Sequence, residues 1–142
     1  MKSYTNLEQS KMLAEFLPIE SADMHYIIVG TNEEPKHIVG LGEYIGILPS
    51  IPCWSLAALM ELMPKHIKQE DGRIYKFYIF NDDGRVIQRW GCSYVAKDYH
   101  NRAEYLSDPT LKYPTNVYSG KYDNPVDSCY EMILKLNELK LI

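Results

Sequence analysis

Cysteine is scarce in this 142-residue chain. The three present, Cys53, Cys92 and Cys129, stand far apart with no C-x-x-C spacing. An odd, dispersed set argues against a disulfide framework and predicts three reduced thiols in the core. Zinc at a structural site takes four ligands, and no Cys or His pair sits at finger spacing, so no metal is expected. No apolar run approaches the roughly 20 residues that cross a bilayer. The opening residues, Met1 to Glu8, lack the apolar core of a secretion signal. Together these point to a cytoplasmic protein with no membrane attachment.

Positive charge is also in deficit, with 15 Lys and Arg against 19 Asp and Glu, net −4. The deficit is uneven: residues 1–64 carry net −5, residues 65–102 net +3 and the last 40 residues net −2. A modest basic middle in an acidic chain is a poor footprint for phosphate backbones, so nucleic acid is not the expected partner. The glycine run Gly40-Leu41-Gly42-Glu43-Tyr44-Ile45-Gly46 lacks G-x-G-x-x-G spacing and any following Lys-Ser/Thr. It therefore reads as a twisted hairpin arm rather than a phosphate loop, and no cofactor is expected.

The length suits one domain, residues 1–142, with a core of its own. Ile51 to Pro64 has only two polar residues, Ser55 and Glu61. That pattern predicts a buried central helix, with Ser55 as its N-cap (Ser50 the alternative) and Pro64 as its stop. Thr5-Asn6-Leu7-Glu8 has the form of a capping box for a first helix that ends at Pro18. Glu20 and Asp23, in the loop that follows, are expected to be solvated. Asn124-Pro125-Val126-Asp127 opens a last helix whose apolar stripe is Val126, Cys129, Tyr130, Ile133, Leu136 and Leu139.

Strands are expected at 24–29, 38–47, 73–80 and 86–95, the last two flanking a turn at Asn81–Arg85. Alternation puts Tyr75, Phe77 and Ile79 on one face of the third strand. Val86, Gln88, Trp90, Cys92 and Tyr94 share a face of the fourth, while Lys76 and Arg89 keep one side of the sheet wet. The fold class that follows is α+β: three helices packed on an antiparallel sheet of about four strands.

Residues 96–122 are the least regular. Six of the twelve tyrosines fall between Tyr94 and Tyr122. A loop of that length in a compact domain usually covers or binds something. Tyrosine and arginine supply rigid, amphipathic contact area, so Tyr99, Arg102, Tyr105, Tyr113, Tyr118 and Tyr122 form the candidate partner-binding surface. The alternative is chemical. Asp98 and His100 would project the same way from an extended segment beside Arg102, an arrangement suited to a small nucleotide-binding protein or hydrolase with an imidazole base. Cys53 and Cys129 lie in apolar patterns that do not activate a nucleophile.

Pro52-Cys53-Trp54-Ser55-Leu56-Ala57-Ala58-Leu59-Met60-Glu61-Leu62-Met63-Pro64 and Asn124-Pro125-Val126-Asp127-Ser128-Cys129-Tyr130-Glu131-Met132-Ile133 resemble segments of small proteins carried by phages and conjugative elements of gut bacteria. Leu13-Ala14-Glu15-Phe16-Leu17-Pro18 and Ser21-Ala22-Asp23-Met24 are similar too. The resemblance covers about a third of the chain and implies a shared fold and a mobile-element context. It implies no residue role, since no activity or catalytic motif comes with that group. The expected function is a non-enzymatic accessory protein that binds a host or element protein through its tyrosine-rich surface; a homo-oligomer is compatible with the sequence.

Overall fold

The computed structural model describes residues 2–27, 38–41, 49–68, 72–83, 88–96 and 117–142. The chain divides into two compact units, Met1–Leu62 and Met63–Ile142. Three α-helices and two antiparallel three-stranded sheets among the described residues give an α+β fold.

The first unit begins with α1 (Leu7–Ala14). Its N-cap is Asn6, not Thr5: Asn6 Oδ1 accepts from Gln9 N–H at 2.8 Å, and Gln9 Oε1 accepts from Asn6 N–H at 3.1 Å. The box is thus displaced by one residue from the expected Thr5–Glu8 pair. Thr5 is unavailable as a cap because it is fully buried, with its Oγ1 2.7 Å from Ser10 Oγ and accepting from Trp54 N–H at 3.1 Å. Beyond α1, Leu17 N–H still returns to Leu13 O, and a short 3-10 turn covers Ile19–Ser21.

The first sheet has the order β2 (Ile38–Leu41), β1 (Met24–Ile27), β3 (Ser50–Cys53). Strand β3 rules out Ser50, the alternative N-cap, because the chain from Ser50 to Cys53 is extended. Pro52 lies opposite His25 on this outer strand, which hydrogen-bonds on its ladder only to β1, so its missing N–H is tolerated. Helix α2 (Leu56–Leu62) follows, with Ser55 Oγ accepting from Ala58 N–H at 3.2 Å. Leu59 is fully buried and Leu62 half-buried, as an inward face requires. The opposite face is not buried: Ala57 and Glu61 are exposed and Met60 is 40% exposed. Apolar composition overstated the burial of this helix because small and flexible residues, Ala and Met, tolerate a solvated face.

In the second unit, β5 (Ile74–Asp83) lies between β4 (His66–Lys68) and β6 (Gln88–Ala96). The expected four strands are therefore shared between two sheets, and β3 and β4 are additional to them. Strand β4 arises in a stretch too polar to signal a strand, through one inward residue, Ile67, between exposed His66 and Lys68. Pairing of β5 with β6 continues to Asp83 opposite Gln88, so residues 81–83, expected in the turn, belong to the ladder. Register places Phe77 beside Tyr94 and Ile79 beside Cys92, the inner face read from the alternation.

Helix α3 (Pro125–Glu138) packs against β6. Asn124 caps it as expected, accepting from Asp127 N–H at 2.9 Å. Val126, Cys129, Met132, Ile133 and Leu136 are fully buried. Leu139, expected in this stripe, is 54% exposed, because the helix has ended and the chain is turning away. All three cysteines are free and buried.

Candidate interaction surface

The tyrosine-rich stretch re-enters the described structure at Val117. Residues 117–122 run antiparallel along the free edge of β6. Tyr94 N–H donates to Val117 O at 2.9 Å and Ser119 N–H to Cys92 O at 3.0 Å. Trp90 and Tyr122 exchange both backbone bonds, at 2.7 and 2.8 Å. A short fourth row of pairing thus covers an edge that would otherwise present unpaired amides.

This pairing sorts the two described candidate tyrosines onto different faces. Tyr122 pairs with Trp90 on the face that α3 covers, and its hydroxyl donates to Ser119 O at 3.1 Å. Burial, with the nearby Glu131 carboxylate, Tyr118 and the Asp127 carboxylate, pushes its phenol above the ordinary range. Tyr118 pairs with Ser93 on the outer face. Its ring stacks on Phe80, centroids 6.2 Å apart and planes 12° apart, and its carbonyl accepts from Lys135 Nζ. Tyr99, Arg102, Tyr105 and Tyr113 lie outside the described residues, as do Asp98 and His100 of the chemical alternative.

Register defines the rest of the outer face, because directly opposed residues project to the same side. Lys76 stands opposite both His66 and Val95, Ile74 opposite Lys68, Tyr78 opposite Ser93, and Phe80 opposite Gly91. Ile74 is 47% and Tyr78 48% exposed, and His66, Lys68, Lys76 and Arg89 are exposed as well. Lys76 Nζ lies 5.7 Å from the Tyr78 ring centroid, within reach of cation–π attraction. Gly91 is needed here: a Cβ at this position would come within 2.5 Å of the Phe80 ring and 3.1 Å of Gly120 O. Its absence lets the Phe80 ring lie flat on the sheet and meet Tyr118. The outcome is an aromatic row, Tyr78–Phe80–Tyr118, beside His66 and three cations, Lys68, Lys76 and Arg89. Sequence alternation gave Lys76 and Arg89 as the wet side. It missed Tyr78, Phe80 and the β4 residues, because β4 carried no recognisable strand signal.

The first unit holds an open cleft of about 440 Å³ between the 3-10 turn and α2. Glu20, Asp23 and Glu61 contribute carboxylates to it. Asp23 is exposed, as expected, and is also tied to Ser55: its Oδ1 accepts the Ser55 N–H at 2.8 Å and its Oδ2 the hydroxyl at 2.5 Å. It pins the start of α2 and is not free to act as a base. No group of three or more His, Cys, Asp or Glu that could hold a metal occurs among the described residues. No helix among them is long and apolar enough to cross a membrane.

In comparisons with protein-family models, curated proteins and solved structures, nothing matches this chain.

Proposed function

We propose that this chain is an accessory interaction protein of a phage or conjugative element, acting by binding rather than catalysis. Its partner is a protein with an acidic segment, held against the outer face of the second sheet and the tyrosine-rich stretch that leads into it. The observation that carries the reading is the row Tyr78, Phe80 and Tyr118 flanked by His66, Lys68, Lys76 and Arg89. Aromatic rings, exposed at Tyr78 and half-buried at Phe80 and Tyr118, supply contact area at little cost in side-chain freedom, and Lys68, Lys76 and Arg89 give the face a sign that selects its partner. The mobile-element context rests on the resemblance of the α2 and α3 sequences. Asp98, His100 and Arg102, the residues of the hydrolase alternative, lie outside the described residues, so no observation favours that reading.

The test is affinity capture from a gut-bacterial lysate with the wild-type chain, Tyr118→Ala and Lys76→Glu as baits, combined with titration of a fluorescent glutamate-rich peptide. Loss of one ring from the centre of such a face is expected to weaken binding by about tenfold, and charge reversal at Lys76 by at least as much. Equal capture by all three baits would remove this face from consideration. Binding of a single-stranded oligonucleotide in place of the peptide would keep the face but change the class of partner.

A further inference from the structure

Cys92 and Cys129 flank the tyrosine-rich stretch in sequence and meet in the interior of the second unit. Cys92 lies in β6 on the face covered by α3, and Cys129 in the second turn of α3. Both are fully buried, with their sulfurs 3.7 Å apart. That is non-bonded contact; a disulfide needs about 2.05 Å, so the sulfurs must approach by about 1.6 Å, within reach of side-chain rotation and a small shift of the helix. The surroundings of the two sulfurs differ. Ser128 Oγ donates to Cys92 Sγ at 3.2 Å, and Ser119 Oγ lies 3.0 Å from Ser128 Oγ while accepting from Cys92 N–H at 2.9 Å. The contact with Cys129 and the hydroxyl donated by Ser128 favour the Cys92 thiolate, against the burial that opposes it. The hydrogen bond to Cys92, together with burial, holds the Cys129 thiol well above the ordinary range. Cys92 is therefore the sulfur that ionises first.

We propose that Cys92 and Cys129 are an oxidation site at which a peroxide converts the two thiols into a disulfide joining β6 to α3. The Cys92 thiolate attacks one peroxide oxygen. The O–O bond breaks, hydroxide leaves and takes up the proton that Cys92 released, and Cys92 becomes a sulfenic acid with one water formed. The Cys129 sulfur then attacks the Cys92 sulfur. The S–S bond forms, the S–O bond breaks, and the hydroxyl leaves with the Cys129 proton as a second water. The sulfur pair is oxidised by two electrons and the peroxide is reduced. The loop that closes runs from residue 92 to residue 129 and contains every candidate partner-binding residue from Tyr99 to Tyr122. Tying its ends removes freedom from the unfolded chain and anchors the proposed binding segment. That consequence rests on the interaction reading above; bond formation does not.

The experiment uses the folded, fully reduced full-length chain, freed of reductant and exposed to hydrogen peroxide, with Cys53→Ser treated in parallel. Free thiols should fall from the three of the reduced chain to one. The intact mass should drop by two hydrogens, and a peptide joining Cys92 to Cys129 should appear. The melting temperature should rise by several degrees and return on treatment with dithiothreitol. Three persisting thiols, sulfinic acid at Cys92 without a link, or a link to Cys53 would each overturn the proposal. These readouts are chemical, so failure to find a partner for the tyrosine surface leaves them unaffected.

Discussion

His25 sits in the middle of β1, only 4% exposed, with neither ring nitrogen hydrogen-bonded among the described residues. A buried imidazole without a partner is held neutral, and burial lowers its pKa from the ordinary 6.5. The unfolded chain accepts a proton near that pH which the native state refuses. Stability from this residue is therefore complete above about pH 6.5 and declines as the pH falls through it, by at most about 1.4 kcal/mol per pH unit. In urea denaturation at about pH 7.5 and about pH 5.5, the wild-type chain should lose more stability on acidification than His25→Phe. Equal losses would mean that another group sets the acid limit. Thr5 shows why individual residues were hard to read. Thr and Asn are both good caps, and they are adjacent here. Only the position of Trp54, whose N–H needs an acceptor, assigns Thr5 to the interior and leaves Asn6 to cap α1.

Among the elements, α3 was the most legible because its signals are local: Asn124 as cap, Pro125 in the first turn, and an apolar stripe spaced for one face. Its far end depended on geometry that no pattern revealed. Leu141 N–H returns to Leu136 O at 2.8 Å and Lys140 N–H to Asn137 O at 3.0 Å, a Schellman ending. That ending puts Lys140 at φ 56°, in the left-handed region where a Cβ is crowded. Lys140→Gly should therefore stabilise the protein by about 0.5–1 kcal/mol despite the greater freedom of glycine in the unfolded state, measurable as a higher urea midpoint at unchanged slope. A lower midpoint would show that the lysine side chain contributes more than its backbone costs. Strands β3 and β4 lie at the other extreme. A proline in one and a three-residue length in the other suppress any period-two signal, so each is a strand only because β1 or β5 offers it a ladder.

For the whole molecule, strands paired on both sides should be the most protected elements. In the first sheet β1 lies between β2 and β3; in the second, β5 lies between β4 and β6, and β6 between β5 and residues 117–122. In hydrogen–deuterium exchange the amides of Trp90 and Tyr94 should be among the slowest of the second unit, well behind those of His66 and Lys68 in β4. Exchange of Trp90 and Tyr94 at the rate of β4 would show that the 117–122 pairing opens readily. With that pairing goes the alignment of Tyr118 on Phe80, so the measurement also bears on the candidate surface.

The order of residues was enough to set the α+β class, the caps at Ser55 and Asn124, the inner face of β5 and β6, and the burial of all three thiols. Each depends on nearest-neighbour chemistry or on a period of 2 or 3.6, which a single strand of text carries. The division of the strands between two sheets, the return of 117–122 along β6, the aromatic row beneath Tyr118 and the meeting of Cys92 with Cys129 were out of reach of that text. All four are contacts between residues far apart in the chain, and their partners are chosen by which ladder edges and faces remain open once the helices have docked.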